Sequence, residues 1–196
     1  MLLRTLRRGA GSWPASPEAS RCSRGGRPRG HLLGAAARPD GSITVLVERV
    51  RCADSLFFSP DGRALYFADS PTGTIEAFDY DPATGGVGAR RPFARVRAPG
   101  VPDGSCVDAE GYLWIAVFEG YRVDRWSPDG RLDLSIDVPV RKPTCCAFGG
   151  PDLGLLLVTT SRQGEGAEAL SAEPTAGGLY GWRPGLKGLL DTPFAG

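Results

Sequence analysis

The chain has almost no net charge: 23 Lys and Arg against 22 Asp and Glu leave +1 over 196 residues. That balance excludes nucleic acid and acidic membrane surfaces as global partners, because both select strongly basic faces. Histidine is nearly absent. The single one, His31, lies in a stretch rich in Arg and Gly, which fits a solvated side chain better than a catalytic one. No apolar run approaches the ~18 residues of a transmembrane helix. The five cysteines, Cys22, Cys52, Cys106, Cys145 and Cys146, are odd in number, irregular in spacing and contain no C-x-x-C pair. A disulfide framework is therefore not expected, and reduced, buried thiols in a cytoplasmic protein are. Gly at 28 and Pro at 17 are plentiful instead, as many tight turns between short strands require.

One phrase recurs along the chain. It reads Ser59-Pro60-Asp61-Gly62-Arg63-Ala64-Leu65-Tyr66-Phe67-Ala68-Asp69, then Asp108-Ala109-Glu110-Gly111-Tyr112-Leu113-Trp114-Ile115-Ala116-Val117. A looser copy follows from Gly150 to Thr159. Each is an acidic-Gly turn feeding a strand of aromatic and branched residues. Asp61 and Glu110 are 49 residues apart, and Glu110 and Asp152 are 42 apart. A period of that length with several strands inside it points to β-propeller blades of about 40–50 residues.

The fold class is all-β, with three four-stranded units behind one leading strand, Ser42–Val47. The first unit is expected to run Ser55–Phe58, Ala64–Ala68, Thr74–Tyr80 and Arg91–Val96. The second runs Ser105–Val107, Tyr112–Val117, Arg122–Trp126 and Leu132–Val138. The third runs Thr144–Phe148, Leu155–Thr160, Gly178–Trp182 and Leu186–Leu190, with Ser161–Ala176 as a loop. Tyr80, Trp126 and Trp182 each sit near the end of a third strand and are read as packing between units. Residues 1–38 form a separate segment. It holds eight Arg and one acid, Glu18, and is broken by Gly and Pro. The reading is a disordered leader, with a mitochondrial transit peptide as the alternative. Residues 39–196 form a partial propeller, and three units leave open edges that invite self-association.

These residues carry a resemblance. Asp54–Ser70, Ala77-Phe78-Asp79-Tyr80-Asp81, Pro102-Asp103-Gly104 with Asp108–Trp114, and Cys145-Cys146-Ala147-Phe148-Gly149-Gly150 resemble the regucalcin, senescence-marker-protein, gluconolactonase and luciferin-regenerating family. Ala176–Tyr180 and Phe194-Ala195-Gly196 add to it. The likeness spans Pro39 to Gly196 and corresponds to the C-terminal half of a six-bladed propeller. It implies metal-dependent hydrolysis of a sugar lactone, with calcium binding in some members, and a divalent cation (Ca, Zn, Mn or Mg) as cofactor. It also implies three metal ligands: a Glu on the first blade, an Asn opening an Asn-Gly-Leu strand, and the Asp of a Pro-Asp-Gly strand. The last falls on Asp103, which the resemblance also makes the catalytic proton donor and acceptor. The second falls on Asp54, with Asp in place of Asn and Ser55 in place of Gly. The Glu has no counterpart, so activity is expected to be impaired. The alternative is a non-catalytic metal-binding or interaction fragment, or a truncated isoform.

The residues support part of this directly. Asp54 and Asp103 are one repeat apart, 49 residues, and each is read as preceding the first strand of its unit. First strands line a propeller's channel, so both carboxylates would face the axis. Carboxylate oxygens suit hard cations. The matching position in the third unit, Thr144, carries no carboxylate.

Overall fold

The computed structural model describes residues 32–37 and 43–190. Strands β1 (Leu32–Ala37) and β2 (Ile43–Val50) pair antiparallel. The first sheet contains β3 (Ala53–Phe58), β4 (Ala64–Asp69), β5 (Thr74–Asp81) and β6 (Gly86–Arg95). The second contains β7 (Val101–Val107), β8 (Leu113–Phe118), β9 (Arg122–Trp126) and β10 (Leu132–Asp137). The third contains β11 (Pro143–Gly149), β12 (Leu155–Thr160) and β13 (Leu179–Trp182). All pairings are antiparallel meanders, the order expected of consecutive hairpins.

The recurring turns act as punctuation. Ser59 Oγ donates to Asp61 Oδ1 at 2.5 Å, and Gly62 takes φ 67°. The second Ser-Pro-Asp-Gly, at residues 127–130, repeats the Ser-to-Asp contact, with Gly130 at φ 78°. Asp61 and Asp129 are thus turn acids.

Three apolar layers hold the sheets together. Val47 and Val50 of β2 pack with Leu65, Phe67, Phe78 and Tyr80 of the first sheet. Tyr66, Ala68, Ile75 and Ala77 meet Leu113, Ile115, Val117 and Trp126 between the first and second sheets. Trp114, Val123 and Cys106 meet Cys146, Leu156 and Val158 between the second and third. Trp182 lies 6.3 Å from Trp114, ring centroid to centroid. Tyr80 and Trp126 therefore pack in these layers, whereas Trp182 is exposed and meets the third layer only through Trp114. Burial of this kind contributes about 25 cal/mol per Å² of apolar surface.

Four expectations are corrected. Residues 186–190 do not form a fourth strand on the third sheet. Instead Lys187 O accepts from Ala109 N at 2.9 Å, and Gly188 bridges Asp108. Gly188 passes so close to Phe148 that a Cβ there would lie 2.1 Å from the Phe148 Cβ. The segment is thereby drawn across the end of the sheet onto the second unit's turn. The long 161–176 loop contains one helix, α1 (Ala167–Ala172). β1 places strand structure before Pro39, so the leading strand does not stand alone. Finally, Cys52 is disulfide-bonded, whereas Cys106, Cys145 and Cys146 are free; the spacing of Cys52 to the other cysteines gave no sign of the bond. Residues 1–31, including His31, lie outside the described residues. Among the described residues no helix is long and apolar enough to cross a membrane.

Candidate functional site

The first strands β3, β7 and β11 lie side by side, and each is interrupted at the same relative place. In β3, Asp54 pairs with Ala68 and Phe57 with Tyr66, so Ser55 and Leu56 oppose one residue. In β7, Pro102 pairs with Val117 and Ser105 with Ile115, so Asp103 and Gly104 oppose one residue. In β11, Pro143 pairs with Thr160 and Cys145 with Thr159, leaving Thr144 extra. These are β-bulges, which bend a strand and re-aim its side chains.

Asp54 and Asp103 therefore lie inside their strands, not ahead of them. The turn-like composition of Pro102-Asp103-Gly104 concealed this, because Pro and Gly are tolerated in strands mainly at bulges. Gly104 is required by packing: a Cβ there would lie 2.5 Å from Cys145 Sγ and 2.8 Å from Thr144 O. Ser55 takes φ 52°, a left-handed conformation that a glycine adopts without strain. Glycine is what the resemblance places there.

The bulges bring the two carboxylates into electrostatic contact. Burial, and then the charge of Asp54, push the Asp103 carboxyl up to about 7, against an opposing pull from the Gly104 backbone. Neither sequence nor resemblance pointed to the groups that hold them. Ser70 Oγ donates to Asp54 Oδ2 at 2.5 Å, and Ser55 Oγ donates to Asp103 O. Ser70 opens a 3-10 turn, Ser70–Thr72, right after β4. Asp69 in turn accepts from Cys52 N at 2.9 Å and fixes the entry into β3. At the third bulge Thr144 Oγ1 bonds Thr159 Oγ1 at 2.8 Å. Beside it Cys145, exposed on one side, has its thiol pushed up to about 11 by desolvation, then by Cys146, Asp103 and Asp54.

The connections at this end of the sheets are tied down. Arg122, ion-paired to buried Asp124 at 3.0 Å, donates to Arg97 O at 2.6 Å and Pro99 O at 3.0 Å. Lys142 pairs with Glu165 at 2.5 Å and donates to Gln163 O at 2.7 Å. Tyr121 OH donates to Glu173 at 2.7 Å. The loop carrying α1 is thus pinned to the connection that leads into β11.

A divalent cation would find two carboxylates here. Among the described residues no group of three His, Cys, Asp or Glu is arranged to hold a metal ion. The donor chemistry fits a hard cation, but the donor number is incomplete, since calcium takes about six to eight oxygens. Two carboxylates that repel one another gain from a cation between them.

Residues 12–162 match the family model described as the SMP-30/Gluconolactonase/LRE-like region. The chain is 38% identical over 161 residues to regucalcin of Gallus gallus, covering 81% of this chain and 54% of that protein. It is 36% identical over 159 residues to the putative sugar lactone lactonase YvrE of Bacillus subtilis, covering 80% and 54%. Among solved structures, a calcium-binding protein, regucalcin, from Agrobacterium tumefaciens superposes with TM-score 0.73 at 34% identity, covering 77% of this chain and 52% of that one. The chain spans about half the length of the curated relatives it matches. It belongs to the SMP-30/gluconolactonase/LRE-like family of all-β propeller proteins.

Proposed function

We propose that this chain carries part of a divalent-cation site of the sugar lactone lactonase type, with Asp54 and Asp103 as its metal ligands. The observation that carries the reading is their place on neighbouring first strands, Asp54 just before a bulge and Asp103 inside one, near enough for the charge of Asp54 to raise the Asp103 carboxyl. The names of its relatives support the substrate class and the cation: one is a putative sugar lactone lactonase and another a calcium-binding protein. A bound calcium, zinc, manganese or magnesium ion would supply Lewis-acid polarisation of a lactone carbonyl. Asp103 would donate and accept the proton at its carboxyl oxygens. Its raised position, about 7, lies near neutral pH, where a general acid–base is most effective. Ser70 holds the Asp54 carboxylate in place. Activity of this chain alone is expected to be low, because two carboxylates leave most of a cation's coordination sphere to water.

The test is thermal unfolding at pH 8 with and without millimolar calcium or zinc, paired with a pH-stat assay on a sugar lactone. We expect metal to raise Tm by a few degrees, since a ligand that binds only the folded state stabilises it. Asp103→Asn and Asp54→Ala should each abolish the rise. A Tm indifferent to every cation would refute the metal reading. A metal-dependent rise without hydrolysis would leave a binding protein and remove the enzyme.

A second reading has its own support. Leu179 and Trp182 are exposed on the last strand of the third sheet, and Leu189 and Leu190 are exposed in the segment after it. An apolar edge of that kind favours a non-catalytic interaction fragment that self-associates. Light scattering at micromolar concentration checks it: a monomer excludes it.

A further inference from the structure

We infer that Cys106 and Cys146 are a peroxide-sensitive thiol pair whose oxidation fastens the second sheet to the third. Cys106 lies near the end of β7 and Cys146 in the middle of β11. Both are buried, and their sulfurs are 3.8 Å apart. The Cys106 S–H is directed at Cys146 Sγ, and the Cys146 S–H at Trp114 O, 3.4 Å away. A disulfide needs an S–S distance of about 2 Å, so the sulfurs must close by less than their own diameter. The two strands are already in backbone contact, because Gly104 leaves no room for a side chain against Thr144 and Cys145. Cys145 projects from the other face of β11, as adjacent strand residues do, and is exposed. It provides an internal control.

The chemistry needs a peroxide as oxidant. One thiol attacks a peroxide oxygen, the O–O bond breaks, and a sulfenic acid and one water result. The second thiol attacks that sulfur, the S–S bond forms, and a second water leaves with the oxygen. Two sulfurs are oxidised and the peroxide is reduced. Burial keeps the thiolates scarce, so the reaction proceeds through openings of the third sheet, whose outer edge is the exposed one. The crosslink joins the strand bearing Asp103 to the unit that covers it.

The experiment treats the folded full chain with hydrogen peroxide, alkylates remaining thiols after denaturation, and maps the peptides by tandem mass spectrometry. The expected product is a Cys106–Cys146 peptide pair about 2 Da lighter than the sum of its free thiols. It should form equally in Cys145→Ala, disappear with dithiothreitol, and raise Tm by several degrees. Full alkylation of Cys106 and Cys146, with oxidation confined to Cys145 or to an intermolecular Cys145 bond, would overturn the inference. Mapping the unsubstituted protein decides the matter even if a Cys106→Ala variant fails to fold.

Discussion

The second and third sheets share one plan: a bulged first strand, an acidic-Gly turn and a strand of branched and aromatic residues. They differ in how completely they are covered. In the second sheet Trp114, Ile115, Ala116, Val117 and Val123 are all 0% exposed. Around them a charged network closes one end. Asp108, fully buried, accepts from Glu110 N, Tyr112 N, Trp114 Nε1 and Arg125 Nε. Arg125 also pairs with Glu110 and Asp133, each at 2.6 Å, and its guanidinium lies 3.7 Å over the Tyr112 ring. The third sheet has three strands, its last only four residues long, and Leu179 on that strand is 64% exposed and Leu190, in the segment after it, 83%. The comparison teaches that position in the row matters more than local pattern. A sheet flanked on both faces can bury these charges because each of them is paired. A sheet flanked on one face leaves its outer leucines in water.

The largest expected effect breaks the second sheet. Arg125→Ala leaves Asp108 buried without its counter-charge, a change that costs about 3–5 kcal/mol. Urea unfolding should show a much lower midpoint, and a small effect would mean that the network is peripheral. Next comes the junction between the two sheets. Gly104→Ala drives a methyl into Cys145 and Thr144, an overpacking cost of about 1–3 kcal/mol, and should also weaken any cation response, because Asp103 is its neighbour. A Tm equal to that of the unsubstituted protein would show that β7 and β11 can move apart freely.

A smaller effect depends on pH. The Asp103 carboxyl is raised from 3.8 to about 7, so between those limits the folded chain holds a proton that the unfolded chain has released. Stability from this group is therefore present below about pH 4 and lost as pH rises to about 7. Asp103→Asn should flatten the Tm profile in that window, by a few degrees at its upper end. An unchanged slope would place the titration elsewhere. The smallest effect tests the open edge. Leu179→Ser and Leu190→Ser should each change stability by no more than about 0.5 kcal/mol, the ordinary range for exposed sites. A larger loss, or a fall in molecular mass by light scattering, would show that a partner covers the third sheet and would make it resemble the second.

Much of the fold was legible in the chain. The turn phrases placed β4, β8 and β12 because a Pro-Asp-Gly or Glu-Gly turn followed by an apolar run has few other outcomes. The site was only partly legible. The positions of Asp54 and Asp103 one repeat apart, and the resemblance, marked them. Their bulges were not visible, since a bulge is a mismatch between two strands and has no signature in one of them. Ser70 went unnoticed because serine beside a strand end is ordinary, and Ser55 was marked only as standing in place of Gly. Asp108 and Arg125 looked like turn and strand residues, since only the packed sheet shows that both are buried.

Sequence alone determined the class of structure and the family. Period, turn chemistry and strand composition are local quantities, written in consecutive residues. Only the tertiary structure decided that Asp54 and Asp103 share an electrostatic environment and that Cys106 faces Cys146. It also decided that residues 186–190 leave the third sheet for the second. Each of these depends on which distant strands lie in contact, and contact between strands some 40 residues apart is settled by packing the whole row of sheets at once.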